Sequence, residues 1–315
     1  MRLFRQFADL DDDARGAVVA VGNFDGVHQG HRAVLTRAKA IARDLGAPLA
    51  VLTFEPHPRS YFQPDLPPFR LTPLRSKARQ LEEAGVDLLF VLTFDAEMAG
   101  HSAQAFVDDI LVAGLGARHV VVGYDFVFGR KRQGTADLLI EKGRRRGFAV
   151  SVIEAVKAAG GDAYSSTLIR DLLGAGKPAD AARVLGRVWE IEGHVLPGDR
   201  LGRELGFPTA NVDMTGYLLP AFGIYAARAG LDRETGNGTV TDWYDGAVNL
   251  GERPTIGDGK VLLEVHIFDF DQDIYGRLIR VGLIEYIRPE KAFDTLDQLK
   301  DAIDADCARV REILA

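Results

Sequence analysis

Up to about residue 187 the chain alternates apolar runs with helix-period stretches. Beyond it, apolar runs follow one another with no helix between them. This change of rhythm constrains the fold more than any other feature. The first half has apolar runs at Ala17–Val21, Leu49–Phe54, Asp87–Phe94, His119–Val122 and Phe148–Ile153, with helical patterns near 31–45, 73–84, 102–113 and 135–146. Near-continuous apolar strands alternating with helices predict a parallel sheet covered on both faces, a Rossmann-like α/β domain. Thr72-Pro73 reads as a helix entry, an N-cap residue followed by proline at the first helical position. Past 187, runs at Glu190–Val195, Gly223–Ala229, Trp243–Asn249, Lys260–Phe268 and Gly276–Ile287 predict an antiparallel barrel or sandwich. One long helix, from about Thr295 to Leu314, closes the chain. Two domains, 1–186 and 187–315, suit its 315 residues.

In sheets of the first kind, ligands bind beyond the carboxyl ends of the strands. The distinctive residues of the first half gather there. The first run leads into Val21-Gly-Asn-Phe-Asp-Gly-Val-His-Gln-Gly-His31, directly before a helical pattern. Gly22 turns the chain, and Gly26 and Gly30 allow a ligand close to the main chain. His28 and His31 stand at the helix start, where free N–H groups and the positive dipole end favour anions. Together they suit a polyphosphate. No Gly-Lys-Ser/Thr follows, so this is not a Walker loop. After the second run, Pro56 and Pro58 flank His57 and fix its backbone. After the fourth, Val122–Gly134 interleaves aromatics with glycines, which suits a flat ring, and Arg130, Lys131 and Arg132 are placed to meet phosphates. Lys142–Arg146 instead sits at a helix end, where cations suit the dipole. Ser165-Ser166-Thr167 before Arg170 reads as a second helix start able to hold an anion.

The charge balance narrows the possibilities. A net charge of −7 and a pI near 5.6 argue against a general nucleic-acid binder. Small phosphorylated ligands need only local positive groups. One cysteine, Cys307, excludes an internal disulfide and a multi-cysteine metal site. It falls on the stripe Leu299, Ile303, Cys307, Val310, Leu314 and reads as a packing residue. The charged start Met1–Asp13 does not read as a signal peptide, and no apolar run reaches membrane-spanning length, so the expectation is a cytoplasmic protein.

The second half carries Gly198-Asp-Arg-Leu-Gly-Arg-Glu-Leu-Gly-Phe-Pro-Thr-Ala-Asn211. Gly198, Gly202 and Gly206 make a loop able to wrap phosphates. Pro208 fixes the chain before Thr209, and Asn211 follows on the same side of an extended segment. A hydroxyl and an amide carbonyl are hard ligands, suited to Mg²⁺ that nucleotide phosphates also hold. In Leu262–Ile267, strand alternation puts Glu264 and His266 on one face and Leu263, Val265 and Ile267 on the other.

Gly22, Phe24, Asp25, His28, Gly30 and His31 match the signature Gly-x-Phe-Asp-x-x-His-x-Gly-His of the HIGH-type nucleotidyltransferases. With Pro56–Pro58, Gly123, Asp125, Phe126, Gly129 and Ser165–Arg170, residues 1 to about 185 resemble the FMN adenylyltransferase module of bacterial bifunctional riboflavin kinase/FAD synthetases. Val127 and Leu168 depart from that pattern, standing where many members carry a polar or basic residue. Gly206-Phe-Pro-Thr-Ala-Asn211 resembles the riboflavin kinase motif nearly residue for residue. Asn249–Thr255, with Arg253, resembles that family's loop beside the flavin, and Arg288–Phe293 its lid-side segment. The resemblance implies two consecutive reactions. Riboflavin and ATP give FMN, and FMN with a second ATP gives FAD and pyrophosphate. It implies Glu264 as the base, with His28, His31 and Arg170 at the adenylyl-transfer centre. Gly22, Phe24, Asp25, Gly30, Ser165, Ser166, Thr167, Gly198, Gly202 and Gly206 would contact ATP or its phosphates. Pro56, His57, Pro58, Asp125, Phe126, Asn249, Arg253 and Arg288 would contact flavin, and Thr209 and Asn211 the metal. A flavin sensor derived from such an enzyme would be free to lose these groups, yet they are present. The implied partners are small molecules, with neither nucleic acid nor membrane; the oligomeric state is left open.

Overall fold

The five strands expected in the first half form one parallel sheet, together with a sixth that the apolar pattern missed. The structure is a computed structural model and describes every residue except 158–160, 162, 198–201, 203–204, 236–237 and 253–260. By its contacts the chain divides into two units, Met1–Pro67 with Thr72–Ser165, and Pro68–Leu71 with Ser166–Ala315.

In the first unit the strands are β1 (Arg2–Phe4), β2 (Val18–Val21), β3 (Leu49–Glu55), β4 (Leu88–Thr93), β5 (His119–Gly123) and β8 (Ala149–Ile153), in the order β1-β4-β3-β2-β5-β8. Side chains alternate between two cores. Val19 and Val21 face one with Leu52 and Phe90, while Val18 and Ala20 face the other with Val51 and Leu89. Both faces being apolar is why each strand reads as an unbroken apolar run. Helix α1 (Gln29–Leu45) covers one face with Val34, Leu35, Ala38 and Ile41. β1 escaped notice because it is three residues long and flanked by charge; it pairs at the edge with β4. A short antiparallel hairpin, β6 (Val127–Phe128) with β7 (Gly134–Thr135), also went unread. The short helix α2 (Pro58–Phe62) precedes α3 (Leu74–Glu83).

Two local expectations are corrected. Thr72 does not cap α3, whose N-cap is Pro73 with no capping side chain. The Thr72 hydroxyl is instead turned to the β2–α1 loop. The helix expected over 102–113 follows the short α4 (Ala96–Gly100) and is α-helical only at α5 (Ala103–Ala105). Phe106–Gly114 then winds as a π-helix, burying Phe106, Val107, Ile110 and Leu111. Apolar spacing alone does not separate that wider turn from an α-helix. α6 (Ala136–Arg146) ends in Arg144, Arg145 and Arg146 before a left-handed Gly147, as the dipole argument requires.

The second unit starts with α7 (Ser166–Gly174) and α8 (Pro178–Leu185). Six antiparallel strands follow: β9 (Trp189–Leu196), β10 (Ala210–Asp213), β11 (Gly223–Thr235), β12 (Gly238–Glu252), β13 (Val261–Ile267) and β14 (Leu278–Arg288). They close as β10-β13-β12-β11-β14-β9, a barrel rather than a sandwich. β10 escaped the sequence pattern because its four residues include Asn211 and Asp213, which are poor strand formers. Inward residues such as Ile191, Val212, Val248, Leu263 and Val281 are buried. The closing helix α9 (Leu296–Leu314) lies on the outer surface, with Val310, Leu314 and Cys307 against Ala226, Ala247 and Phe268. Thr295 caps it, its hydroxyl accepting from the Gln298 N–H at 3.2 Å. Cys307 is thus the packing residue its stripe predicted.

Candidate functional site

In the first unit the strand order reverses at β2, which lies between β3 and β5. Such a reversal opens a crevice at the carboxyl ends of the strands. The loop Gly22–His28 leaves β2 there, and Gly123–Phe126 lies at the end of β5. His28 is the N-cap of α1, its Nδ1 accepting from the His31 N–H at 3.3 Å. The two imidazoles stack with centroids 3.7 Å apart. One amide of the helix start is therefore occupied by His28 itself, which is only 6% exposed.

Gly30 also has a role within the loop itself. A Cβ there would fall 3.0 Å from the His28 ring and 3.3 Å from the Tyr164 carbonyl, so the glycine makes room for the imidazole. Phe24 and Asp25, expected to face the nucleotide, are buried at 2% and 1% exposure and shape the loop from beneath. Asp25 Oδ1 accepts from the Thr72 N–H at 3.0 Å and its hydroxyl at 3.3 Å, and that hydroxyl accepts from the Gly26 N–H at 2.8 Å. This pinning holds Phe24 at φ 48° and Val27 at φ 41°, conformations that cost about 1–3 kcal/mol each unless the surroundings enforce them. Thr72 is a residue that the sequence reading placed elsewhere; no local signal links it to Asp25.

Pro56 is exposed, while His57 is buried and caps α2, its Nδ1 accepting from the Arg59 N–H at 3.1 Å. Pro58 occupies the first turn of that helix. Asp125 is exposed, and Phe126 is half-buried, stacked on Phe128 at 5.4 Å. Arg130, Lys131 and Arg132 form a short exposed turn. Ser165 ends the first unit, whereas Ser166, Thr167 and Arg170 belong to the second. There Arg170 Nε donates to the Phe69 carbonyl at 2.8 Å, with the guanidinium 5.3 Å over the Phe69 ring.

The second unit presents a groove of about 710 Å³ outside the barrel, walled by β10, β12, β13 and α9. Register builds its polar end. Asn211 on β10 lies opposite Glu264 on β13, and Glu264 lies opposite Asn249 on β12. Three side chains from three neighbouring strands thus stand in one row. Leu263, Val265 and Ile267 point the other way and are buried, as alternation predicted. Among the described residues, Asn249 Oδ1 is buried without a hydrogen-bond partner. Thr209 joins this end of the groove, and Leu299, Ile303 and Cys307 give it an apolar wall. Gly206 takes φ +93°, and Gly202 packs so tightly that a Cβ would meet the Phe207 carbonyl at 2.5 Å. Gly198 and Arg253 lie outside the described residues.

Arg288, expected to contact flavin, is held as a latch. Its Nε and Nη2 donate to Asp306 Oδ1 and Oδ2 on α9 at 2.9 and 2.6 Å, and its Nη1 to the Pro289 carbonyl at 2.9 Å. Asp306 had no signal beyond its place among the polar positions of the last helix. Next to it, burial first and Asp306 second push the Cys307 thiol up to about 11. Among the described residues no three His, Cys, Asp or Glu side chains gather to hold a metal. The Thr209 hydroxyl and the Asn211 carbonyl oxygen, the latter on a residue only 3% exposed, nevertheless suit a magnesium ion. Such an ion takes most of its ligands from phosphates and water.

A histidine-capped helix start at a sheet reversal in one unit, and in the other a barrel groove with a carboxylate in register between two amides, define a two-site nucleotidyl- and phosphoryl-transfer protein. Family models agree: FAD synthetase matches residues 10–168 and riboflavin kinase residues 185–314. The chain belongs to the bifunctional riboflavin kinase/FMN adenylyltransferase family. The protein of that name from Pseudomonas fluorescens is 42% identical over 316 residues, spanning 100% of this chain and 98% of the relative. That from Escherichia coli K12 is 40% identical over 314 residues, spanning 99% and 97%. A solved structure titled a macrolide-efflux protein from Streptococcus pneumoniae has a TM-score of 0.83 and 30% identity, covering 97% of this chain and 96% of that one. Among the described residues, no helix is long and apolar enough to cross a membrane.

Proposed function

We propose that the barrel groove phosphorylates riboflavin and that the β2–α1 loop adenylylates the FMN formed, ATP serving both steps. The row Asn211–Glu264–Asn249 carries this reading, because it sets a carboxylate between two amides at the polar end of a groove of about 710 Å³. Glu264 takes the proton of the riboflavin 5′-hydroxyl as that oxygen bonds to the γ-phosphorus of ATP and ADP leaves. Asn249, its Oδ1 unpartnered among the described residues, orients the ribityl chain, and the wall of Leu299, Ile303 and Cys307 receives the ring system. Thr209 and Asn211 would hold Mg²⁺ together with the ATP phosphates, and the bound ion would supply charge neutralisation for the transfer.

In the first unit His28 and His31 bind the phosphates of a second ATP at the start of α1. An FMN phosphate oxygen attacks the α-phosphorus and pyrophosphate leaves; the imidazoles stabilise the charge that develops there. Ser165 supplies a further phosphate contact, and Pro56, Pro58, Asp125 and Phe126 contact the flavin. Neither step forms a covalent enzyme intermediate. The test is incubation with riboflavin, ATP and Mg²⁺, following flavins by chromatography. FMN should appear first and FAD after it; riboflavin left unchanged would overturn the reading.

A further inference from the structure

His266 stands two residues after Glu264 on the same face of β13, and its imidazole is committed to the neighbouring loop. Nδ1 lies 2.9 Å from the carbonyl oxygen of Pro208. A carbonyl oxygen only accepts, so Nδ1 carries the hydrogen and donates it. The ring also meets Phe207 edge-on with centroids 5.6 Å apart, and Phe268 likewise at 5.6 Å. The other end of this short loop is tied as well. The Phe207 N–H donates to the Gly202 carbonyl at 2.7 Å, and the Gly202 backbone packs against Phe207 and the Thr209 hydroxyl. Thr209 is the residue directly after the clamped carbonyl.

We propose that His266 is a positioning residue of the kinase site. Its Nδ1–H anchors the Pro208 carbonyl to β13 and thereby sets the Thr209 hydroxyl next to Asn211, on the side where the phosphate-bound cation is held. The inference rests on the reading of Thr209 and Asn211 as oxygen ligands of that cation. It assigns no proton transfer to the imidazole, although His266 shares the strand face of the base.

Asparagine and glutamine separate the two ring nitrogens. An asparagine amide places an N–H near the Nδ1 position, and a glutamine amide places one near Nε2. In the full-length protein, His266→Ala and His266→Gln should raise KM for magnesium ATP in riboflavin phosphorylation about tenfold, the scale of one lost hydrogen bond, with kcat changing less. His266→Asn should return KM to within about threefold of wild type. A readout free of activity comes from nitrogen-15 spectra of histidine-labelled wild-type protein, in which His266 should be the Nδ1-protonated tautomer. An Nε2-protonated ring overturns the proposal, as does an asparagine variant no better than alanine or an alanine variant with unchanged KM. Thr209→Ala keeps the two readings apart. If it raises KM and His266→Ala does not, the clamp fails and the cation site stands; if Thr209→Ala leaves KM unchanged, the cation reading itself fails.

Discussion

The two sites are built in opposite ways. The first is made mainly of backbone: one contiguous loop, bent through left-handed φ values and pinned from below by Asp25 and Thr72, presents a helix start and two stacked imidazoles. The second is made of side chains from strands far apart in sequence, brought into a row by the register of β10, β13 and β12. A backbone-built site depends on residues that never touch the substrate. A register-built site depends on the few that do. Substitutions should therefore fall hardest on different kinds of position in the two units.

The largest effect is expected at Glu264. Glu264→Gln keeps shape but takes no proton, so riboflavin phosphorylation should fall by ~10²–10⁴. Adenylylation of supplied FMN should continue, and both half-reactions are read on one preparation. Phosphorylation within a few-fold of wild type would remove Glu264 from the role of base. His28→Ala or His31→Ala should lower FAD formation by about 10²–10³ with FMN formation intact. Near-normal FAD output from the double variant would mean that the loop does not carry the phosphates.

Thr72→Val probes the backbone side of the contrast. It removes the acceptor for the Gly26 N–H and one donor to Asp25, at an expected loss of about 1–3 kcal/mol on denaturant unfolding. FAD formation should suffer while riboflavin phosphorylation does not, although residue 72 is fully buried. Equal losses in both activities would break the distinction.

Cutting the chain sharpens it differently. Residues 185–315 contain the whole row of the groove, but Trp189 is fully buried and its indole N–H donates to the Leu71 carbonyl at 2.9 Å. The fragment should phosphorylate riboflavin yet unfold earlier than the same unit in the full chain, by about 1–3 kcal/mol for the orphaned donor. Circular dichroism and the flavin assay together decide this; a folded, inactive fragment would show that the groove is incomplete without the rest of the chain. The smallest effect concerns Cys307. With its thiol at about 11, roughly one molecule in a thousand carries the reactive thiolate at pH 8, so alkylation should be slow and should accelerate as pH rises. Fast labelling near neutral pH would contradict its burial beside Asp306.

Much of this was legible in the sequence, for a physical reason. Strands buried on both faces announce themselves as apolar runs, and a loop built by consecutive residues leaves a contiguous signature, so Gly22–His31 was visible at once. Alternation was enough to put Glu264 and His266 on one face. What escaped depends on partners distant along the chain: Thr72 beneath the loop, Asp306 latching Arg288, His266 holding Pro208. Gly30 shows how the two kinds of information differ. Its identity was conspicuous, but its fit against the neighbouring imidazole is revealed only by the folded geometry.

The strap Pro68–Leu71 has a consequence for how the protein is made. Three successive carbonyls of this segment accept hydrogen bonds from Arg170, Leu218 and the Trp189 indole, all of which leave the ribosome later. Leu71 waits for a partner 118 residues downstream, about 6–24 s at ordinary bacterial synthesis rates of ~5–20 residues per second. During that interval the rest of the first unit is synthesised. The barrel therefore closes onto a segment already emerged, and its assembly is ordered by translation as well as by its own strands.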